Sequence, residues 1–220
     1  MPCNDSSDQP TYHWLPALLK AHALVDKAVK SSLENEAAST RRRPACKKGC
    51  DDCCSHVIPV SAPEIAGALW QLTRRTSAGL RARVQRNLHA ARGRACPFLV
   101  DATCSIYPLR FMACRQFIIF GAPCPGGEDV SLTRGGDLLT PDRNLKLKAF
   151  EQLATLYGLR PQLSADEKFL RRFIMDVSPP MQDWDFARSE TILLQLEKKM
   201  LCYRGRDFFA PGLAAPRAAS

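Results

Sequence analysis

The 220-residue sequence has no run of about 20 apolar residues, the length that a membrane-spanning helix needs. Its most apolar stretch, Val57 to Trp70, is interrupted by Pro59, Pro63 and Glu64. The first eight residues are polar and acidic, whereas a signal peptide begins with basic and then apolar residues. We therefore expect a cytoplasmic protein that uses no membrane.

Several catalytic and binding motifs are also missing. No G-x-G-x-x-G pattern follows a predicted strand, so a Rossmann-type cofactor site is not supported. No Ser/His/Asp or paired-carboxylate arrangement can be read, and catalytic residues stay unassigned. With 45% hydrophobic residues the chain is neither wholly disordered nor collagen-like, and its length suits one domain.

The pattern of apolar residues and caps predicts a mainly α-helical small single domain. Loops and short strands wrap a cysteine-ligated metal centre, and N- and C-terminal helices pack around it. We divide the chain into four parts: an N-terminal helical segment over 1–43, a cysteine-cluster core over 44–126, a C-terminal helical segment over 127–209 and a flexible tail over 210–220.

Local signals place the individual elements. A first helix runs from Trp14 to about Ala38 on apolar positions Leu15, Leu18, Leu19, Ala23, Val25 and Val29. Capping signals predict three later helices, which begin at Ser61 with Glu64, at Thr140-Pro141, and at Ser164 with Glu167. The first of these breaks near 77–79 and resumes to Gly93. Extended pieces are expected at 97–100 and 116–120, and a last helix at 185–203.

Cysteine, by contrast, is abundant. The chain has ten cysteines, and eight of them fall between Cys46 and Cys124. Thiols stay reduced in a cytoplasm, so this clustering indicates a metal site more than a disulfide framework. Residues 41–124 also carry 14 basic against 4 acidic side chains, which accounts for the positive excess of the whole chain. Cationic side chains stabilise anionic thiolate centres, so charge and cysteines point the same way.

Spacing alone leaves the ligand arrangement open. Cys46, Cys50 and Cys53 have the spacing of a turn that folds around an ion. Cys54 directly follows Cys53, so it either binds a second metal or is a spectator. Six or seven thiols exceed the four that one tetrahedral zinc takes. The remaining options are an iron-sulfur cluster with spare thiols, a multinuclear centre, or a structural zinc beside reactive cysteines.

A set of ordered motifs over about 44–120 resembles the YkgJ-type cysteine-cluster family, a zinc- or iron-chelating domain. The motifs are Cys46-x3-Cys50-x2-Cys53-Cys54, Val57-Ile-x-Val60 with Glu64, Cys96-Pro-Phe-Leu, Cys104-Ser-Ile-Tyr107-Pro, and Arg110-x3-Cys114-Arg115-x-Phe117. The resemblance implies metal binding by Cys46, Cys50, Cys53, Cys54, Cys96, Cys104 and Cys114. Bacterial flagellin lysine methylases have a similar cysteine set, which suggests that some relatives modify proteins.

Two classes of function follow. The first is a metal-binding protein, with an iron-sulfur cluster favoured over zinc, that is redox-active or supports modification of a protein or peptide. Residues expected to hydrogen-bond the sulfurs or contact a substrate are Tyr107, Arg110, Arg115 and His56, although Tyr107 is equally compatible with a core ring.

The second class is a zinc-stapled basic module for nucleic acid or an acidic protein partner. It is less favoured, because the basic stretch lacks interleaved aromatic residues. A third alternative is a metal carrier in which spare thiols such as Cys124 take part in transfer. The simplest interpretation of Cys3 and Cys202 is that they take no part in metal binding.

Overall fold

Helices make up most of the described chain. The computed structural model describes residues 12, 14–47, 49–90 and 95–184, and it confirms the predicted mainly helical, small single domain. In those residues the α-helices are α1 Leu15–Ser39, α2 Ala62–Arg75, α3 Ala78–Ala90, α4 Met112–Gln116, α5 Val130–Thr133, α6 Arg143–Leu156, α7 Pro161–Ser164 and α8 Glu167–Asp176. None of them is long and apolar enough to cross a bilayer.

The other regular elements are short. Strands β1 Leu99–Val100 and β2 Thr103–Cys104 form an antiparallel hairpin in which Leu99 pairs with Cys104. Single-turn 3-10 helices occupy Asp52–Ser55, Tyr107–Leu109, Gly135–Asp137 and Met181–Asp183. Most of these pieces lie in the cysteine region, before α2 and after α3.

Helix α1 runs through the centre of the core. It packs against α6, α4 and α2, and its Leu18 and Val25 side chains are fully buried. Gly67 of α2 lies against Leu18, because a Cβ at Gly67 would come within 2.5 Å of Leu18 Cδ2. The glycine therefore allows the close approach of α1 and α2.

The inward face of α1 differs from the predicted one. Leu18, Val25 and Val29 are buried as expected, but Leu19 is 46% exposed and Ala23 is exposed. The buried stripe is completed by the smaller or polar residues Ala21, His22, Ala28 and Ser32. Small side chains let α6 approach, so the apolar pattern alone misplaced the face by about one position.

The helix starts are partly as predicted. Ser61 and Glu64 form the expected capping box of α2, and the break before α3 is present. The expected cap at Thr140-Pro141 is wrong, because the Asp142 side chain accepts from the Leu145 N–H and α6 begins at Arg143. Asp166, not Ser164, caps α8. Aspartate is as good a cap as serine or threonine, so local sequence left the register ambiguous.

Other expectations are met in part or fall outside the described residues. Extended pairing occurs within 97–100, whereas 112–116 is helical and only the segment after it is extended. The Gly93 stop, the helix over 185–203, the tail over 210–220, Cys3 and Cys202 lie outside the described residues.

Candidate metal centre

Two distant chain segments pair where the cysteine region begins. The Ala45 N–H donates to the Ile119 carbonyl over 2.8 Å, and the Ile119 N–H donates to Cys46 Sγ over 3.5 Å. This pairing fixes Cys46 beside the segment that leads to Cys124. It also brings together the two ends of the chain segment 45–119, which includes α2 and α3.

A tight turn and a 3-10 helix place the next three cysteines. The Cys50 N–H donates to the Lys47 carbonyl over 3.1 Å, and Gly49 takes a φ of +85°, which costs a glycine little. The chain then enters the 3-10 helix Asp52–Ser55, which carries Cys53 and Cys54. Cys50 thus ends the turn, and Cys53 and Cys54 lie in the short helix that follows it.

Cys96 and Cys104 reach the same place through backbone contacts. The Cys96 N–H donates to the Cys54 carbonyl over 2.8 Å, which joins the returning chain to the double cysteine. Eight residues later, the β1–β2 hairpin presents Cys104. Long-range pairing, and not local spacing, therefore brings these two thiols to the double cysteine.

Cys114 is positioned through a buried carboxylate. Glu64 Oε1 accepts from the Met112 N–H over 2.7 Å, while Oε2 accepts from the Ser61 N–H and hydroxyl. Burial raises the pKa of Glu64, and these hydrogen bonds oppose that rise. One side chain thus ties the start of α2 to the start of α4, the helix that carries Cys114.

Five thiols form what we call the inner thiol group: Cys53, Cys54, Cys96, Cys104 and Cys114. Within this group, the Cys54 thiol interacts with the thiols of Cys53 and Cys96. The Cys53 contact lowers the pKa of Cys54, but the Cys96 contact and burial outweigh it and raise that pKa to about 12. Burial, followed by the neighbouring sulfurs of Cys53 and Cys104, also raises the pKa of Cys114. Burial likewise raises the pKa of Cys104, so without a metal the environment of Cys54, Cys104 and Cys114 disfavours the thiolate form.

Three further thiols form what we call the outer thiol group: Cys46, Cys50 and Cys124. Cys124 interacts electrostatically with Asp52, Cys46 and Cys50, and Cys50 with Asp52 and Cys46. The Cys50 thiol is exposed and lies 3.4 Å from Asp52 Oδ2. Two of the seven predicted metal ligands are thus grouped with a thiol outside the predicted set.

Tyr107 and Arg110 lie at the surface next to the inner thiol group. The Tyr107 ring is 61% exposed, so it is not a core ring, and the Arg110 guanidinium lies 4.7 Å from its centroid. Arg110 also interacts electrostatically with Cys53 and Cys104, which favours their thiolate forms. The pair therefore joins a cation near the sulfurs to an exposed aromatic ring.

Arg115 is buried and connects two segments of the chain. Its guanidinium donates to the Arg110 and Pro108 carbonyls and to both oxygens of Asp26, at 2.7 and 3.0 Å. These contacts fix the loop before α4 to α1. The charge still interacts with Cys104.

His56 follows the double cysteine but contacts other groups. Its ring meets the Phe117 ring edge-on with centroids 5.4 Å apart, and Nδ1 lies 4.0 Å from an Asp129 carboxylate oxygen. The side chain is 11% exposed. This arrangement links the inner thiol group to the loop before α5.

Arginines of the α2 and α3 region have partners within the chain. Arg83 pairs with Asp101, Arg81 donates to the Thr73 carbonyl, and Arg75 lies 5.3 Å from the Trp70 ring centroid. Asp101 offsets the charge of Arg83, whereas the contacts of Arg81 and Arg75 orient the side chains and leave their charge in place.

The thiols suit a soft metal by their chemistry, because thiolate sulfur binds zinc and iron-sulfur clusters. Within the described residues, no three or more His, Cys, Asp or Glu side chains are already disposed around a metal position. Metal binding would therefore require the thiol side chains to rotate toward a shared centre.

Sequence reasoning missed two contributors. The role of Glu64 in holding α4 needed the Met112 contact, although Glu64 was part of the recognised motif. The position of Cys124 beside Cys46 follows from pairing between residues 73 positions apart, Cys46 and Ile119. No local pattern signals such a pairing.

Comparison with known families confirms the resemblance. Residues 45–127 match the model of the CxxCxxCC family, described as a "putative zinc- or iron-chelating domain". The matched segment contains both thiol groups, and the match supports a metal-binding cysteine-cluster protein. No curated protein and no solved structure matches the chain.

Proposed function

We propose that the inner thiol group binds an iron-sulfur cluster and that the protein works in the cytoplasm in redox chemistry or in modification of a protein or peptide. The observation that carries this proposal is the gathering of five thiols from three separate parts of the chain. A tetrahedral zinc ion and an iron-sulfur cluster each take four cysteine ligands, so one of the five thiols is left over. A spare thiol beside the site suits a reactive centre better than a closed structural one.

Charge supports the same choice. A cluster held by four thiolates is anionic, and Arg110 lies close enough to interact with Cys53 and Cys104. A nearby cation stabilises the more negative, reduced state of such a centre. When bound, the cluster supplies one-electron transfer, whereas the chain supplies the sulfurs, the cation and a half-buried setting.

The substrate side of the proposal is based on the Tyr107–Arg110 pair. An exposed aromatic ring with a cation above it offers both apolar contact and a positive charge to a protein or peptide. Because Arg110 also interacts with two of the inner sulfurs, a partner on this face would come close to the cluster. We infer that this face receives the substrate.

The test is anaerobic purification followed by measurement of iron, zinc, acid-labile sulfide and visible absorption. We expect iron and sulfide in the wild-type protein with a broad band near about 400 nm. Cys114→Ser should lose most of both, and Cys202→Ser, a control outside the cluster segment, should keep them. Zinc as the sole metal, without colour, would overturn the proposal and favour the zinc-stapled module.

A further inference from the structure

The extended segment that follows the double cysteine pairs with the chain just after α8. The Val60 N–H donates to the Pro179 carbonyl over 3.0 Å. The Met181 N–H donates to the Ile58 carbonyl over 2.8 Å, and an antiparallel bridge lies between these two hydrogen bonds. One edge of the extended segment is therefore occupied by a neighbouring stretch of the same chain.

The other edge of this segment is open. Backbone groups of alternate residues in an antiparallel pair point to opposite sides, so those of Val57 and Pro59 point away from residues 179–181. The Val57 N–H and the carbonyls of both residues have no hydrogen-bond partner within the part of the chain that the structure describes. Val57 is also 62% exposed. The edge thus offers one donor and two acceptors to a strand from another chain.

An apolar groove lies beside the open edge. It has a volume of about 390 Å³, with Val57 and Pro59 on one wall and Met175, Pro179 and Pro180 on the other. The side chains of Val57 and Pro59 share a face, because alternate residues of an extended segment point the same way. Met175 is 65% exposed, so a partner can cover it. The groove is large enough to receive a bulky apolar side chain.

A carboxylate stands at the rim of the groove. Asp176 is the last residue of α8 and contributes to the lining. Its side chain is 64% exposed and lies 3.9 Å from the guanidinium of Arg172, which is 84% exposed, so this ion pair is weak and the carboxylate is accessible. The C-terminus of α8 adds partial negative charge at the same place. The rim therefore favours a lysine or arginine of a bound chain.

We propose that the open edge and the groove bind an extended peptide segment of a partner protein, in which a bulky apolar residue lies close to a lysine or arginine. The segment adds a strand along Val57 and Pro59, and its apolar side chain packs against Met175 while the cation meets Asp176. Val57 comes three residues after Cys54, so no more than about 11 Å of extended chain separates them. The site goes beyond the proposed function, because binding needs neither a metal nor a reaction.

The experiment measures the fluorescence anisotropy of a labelled peptide with the reduced full-length protein. The probe is Gly-Lys-Thr-X-Thr-Lys-Gly, blocked at both ends, with leucine, valine or phenylalanine at X. We expect saturable binding of at least one probe, and binding at least about fivefold weaker in Met175→Ser and in Asp176→Lys. Leu132→Ser is the control and should bind as wild type, because it replaces an 83% exposed apolar side chain that does not line the groove.

Two N-methylated probes test the strand pairing. Each carries methyl groups on one of the two sets of alternate amides, and only one set faces the open edge in a paired strand. We expect one probe to bind at least about tenfold more weakly than the other, because it cannot donate to the carbonyls of Val57 and Pro59. Equal affinities of the two probes would overturn the strand addition.

Other results would overturn the docking site as a whole. These are the absence of saturable binding of any probe up to about 1 mM, or wild-type affinity in both Met175→Ser and Asp176→Lys. A wild-type dimer that Met175→Ser converts to a monomer would assign the groove to a second copy of the chain and would also overturn the proposal. Iron and sulfide are measured in the same preparations. Peptide binding without iron would reject the iron-sulfur proposal alone, and iron without peptide binding would reject the docking site alone.

Discussion

The Met112 N–H donates to Glu64 Oε1 over 2.7 Å, and this contact joins two helices that are 48 residues apart in sequence. The same carboxylate caps α2 through Ser61. A buried carboxyl acceptor with three donors is costly to remove, because each donor loses its partner away from water. Glu64 therefore acts on the cysteines through the position of α4 and not through direct binding.

We predict that Glu64→Ala lowers the free energy of unfolding by about 3 kcal/mol, since it leaves buried donors of Ser61 and Met112 unpaired. It should also reduce metal content, because α4 carries Cys114. Urea unfolding and metal analysis measure both effects. Glu34→Ala is the matched control, as Glu34 is exposed with only a 3.9 Å contact to Lys30, and it should change neither quantity. Equal stability of the two variants would contradict this role.

His22 gives the fold a sensitivity to acid. Its side chain is 3% exposed, and neither ring nitrogen has a hydrogen-bond partner among the described residues. Burial, with a smaller contribution from Arg115, lowers the pKa of His22 from 6.5 to about 3. The folded state therefore binds fewer protons than the unfolded state between these values, and stability falls as the pH drops below about 6.5.

His22→Leu should remove this part of the acid response. Between pH 7.5 and 5.0 the wild type should lose about 2 kcal/mol more unfolding free energy than the variant. Chemical denaturation of both proteins at the two pH values measures the difference. A parallel loss in both proteins would show that His22 is not the titrating group.

The sequence predicted elements best where the signal was local. Ser61 and Glu64 are three residues apart, so the capping box and the start of α2 could be read directly. The exposed Leu19 shows the limit of this approach. The small residues Ala21 and Ala28 are buried in its place, because their size lets α6 approach. Helix packing decides such positions, and a single sequence does not show it.

The cysteines show the same limit at the site. Their presence and the chemistry of a metal site could be predicted from composition and motif, and the family match supports that prediction. Their division into an inner and an outer group could not, because it follows long-range backbone contacts, of the Cys96 N–H with the Cys54 carbonyl and of Ile119 with Cys46. Contacts between distant backbone segments decide which sulfurs meet.

Arg115 should be far more sensitive to substitution than its partner Asp26. The guanidinium contacts two carbonyls and a carboxylate while 8% exposed, whereas the Asp26 side chain is 53% exposed. We expect Arg115→Lys to cost about 2 kcal/mol, because an ammonium group cannot reproduce the planar fork. Asp26→Asn should cost less than about 1 kcal/mol. Thermal and urea unfolding measure the loss of unfolding free energy in the two variants. Equal losses would contradict the role of Arg115 in holding the loop before α4 to α1.

Arg110 should set the reduction potential of the inner centre without holding it. Its charge interacts with Cys53 and Cys104, and a positive charge favours the reduced, more negative state. Removing it should make the potential more negative by about 60 mV or less, where about 60 mV is a tenfold change in a one-electron equilibrium. Protein-film voltammetry or a dye-mediated redox titration measures the potential of Arg110→Gln.

The conservative variant separates charge from packing. Arg110→Lys keeps the positive charge near the sulfurs and should recover most of the wild-type potential, while Arg172→Gln, an 84% exposed arginine on α8, should have no effect. Iron and sulfide contents should be equal in all of these proteins, since Arg110 supplies no ligand. If Arg110→Lys and Arg110→Gln shifted the potential equally, the effect would come from the stacking on Tyr107 and not from charge.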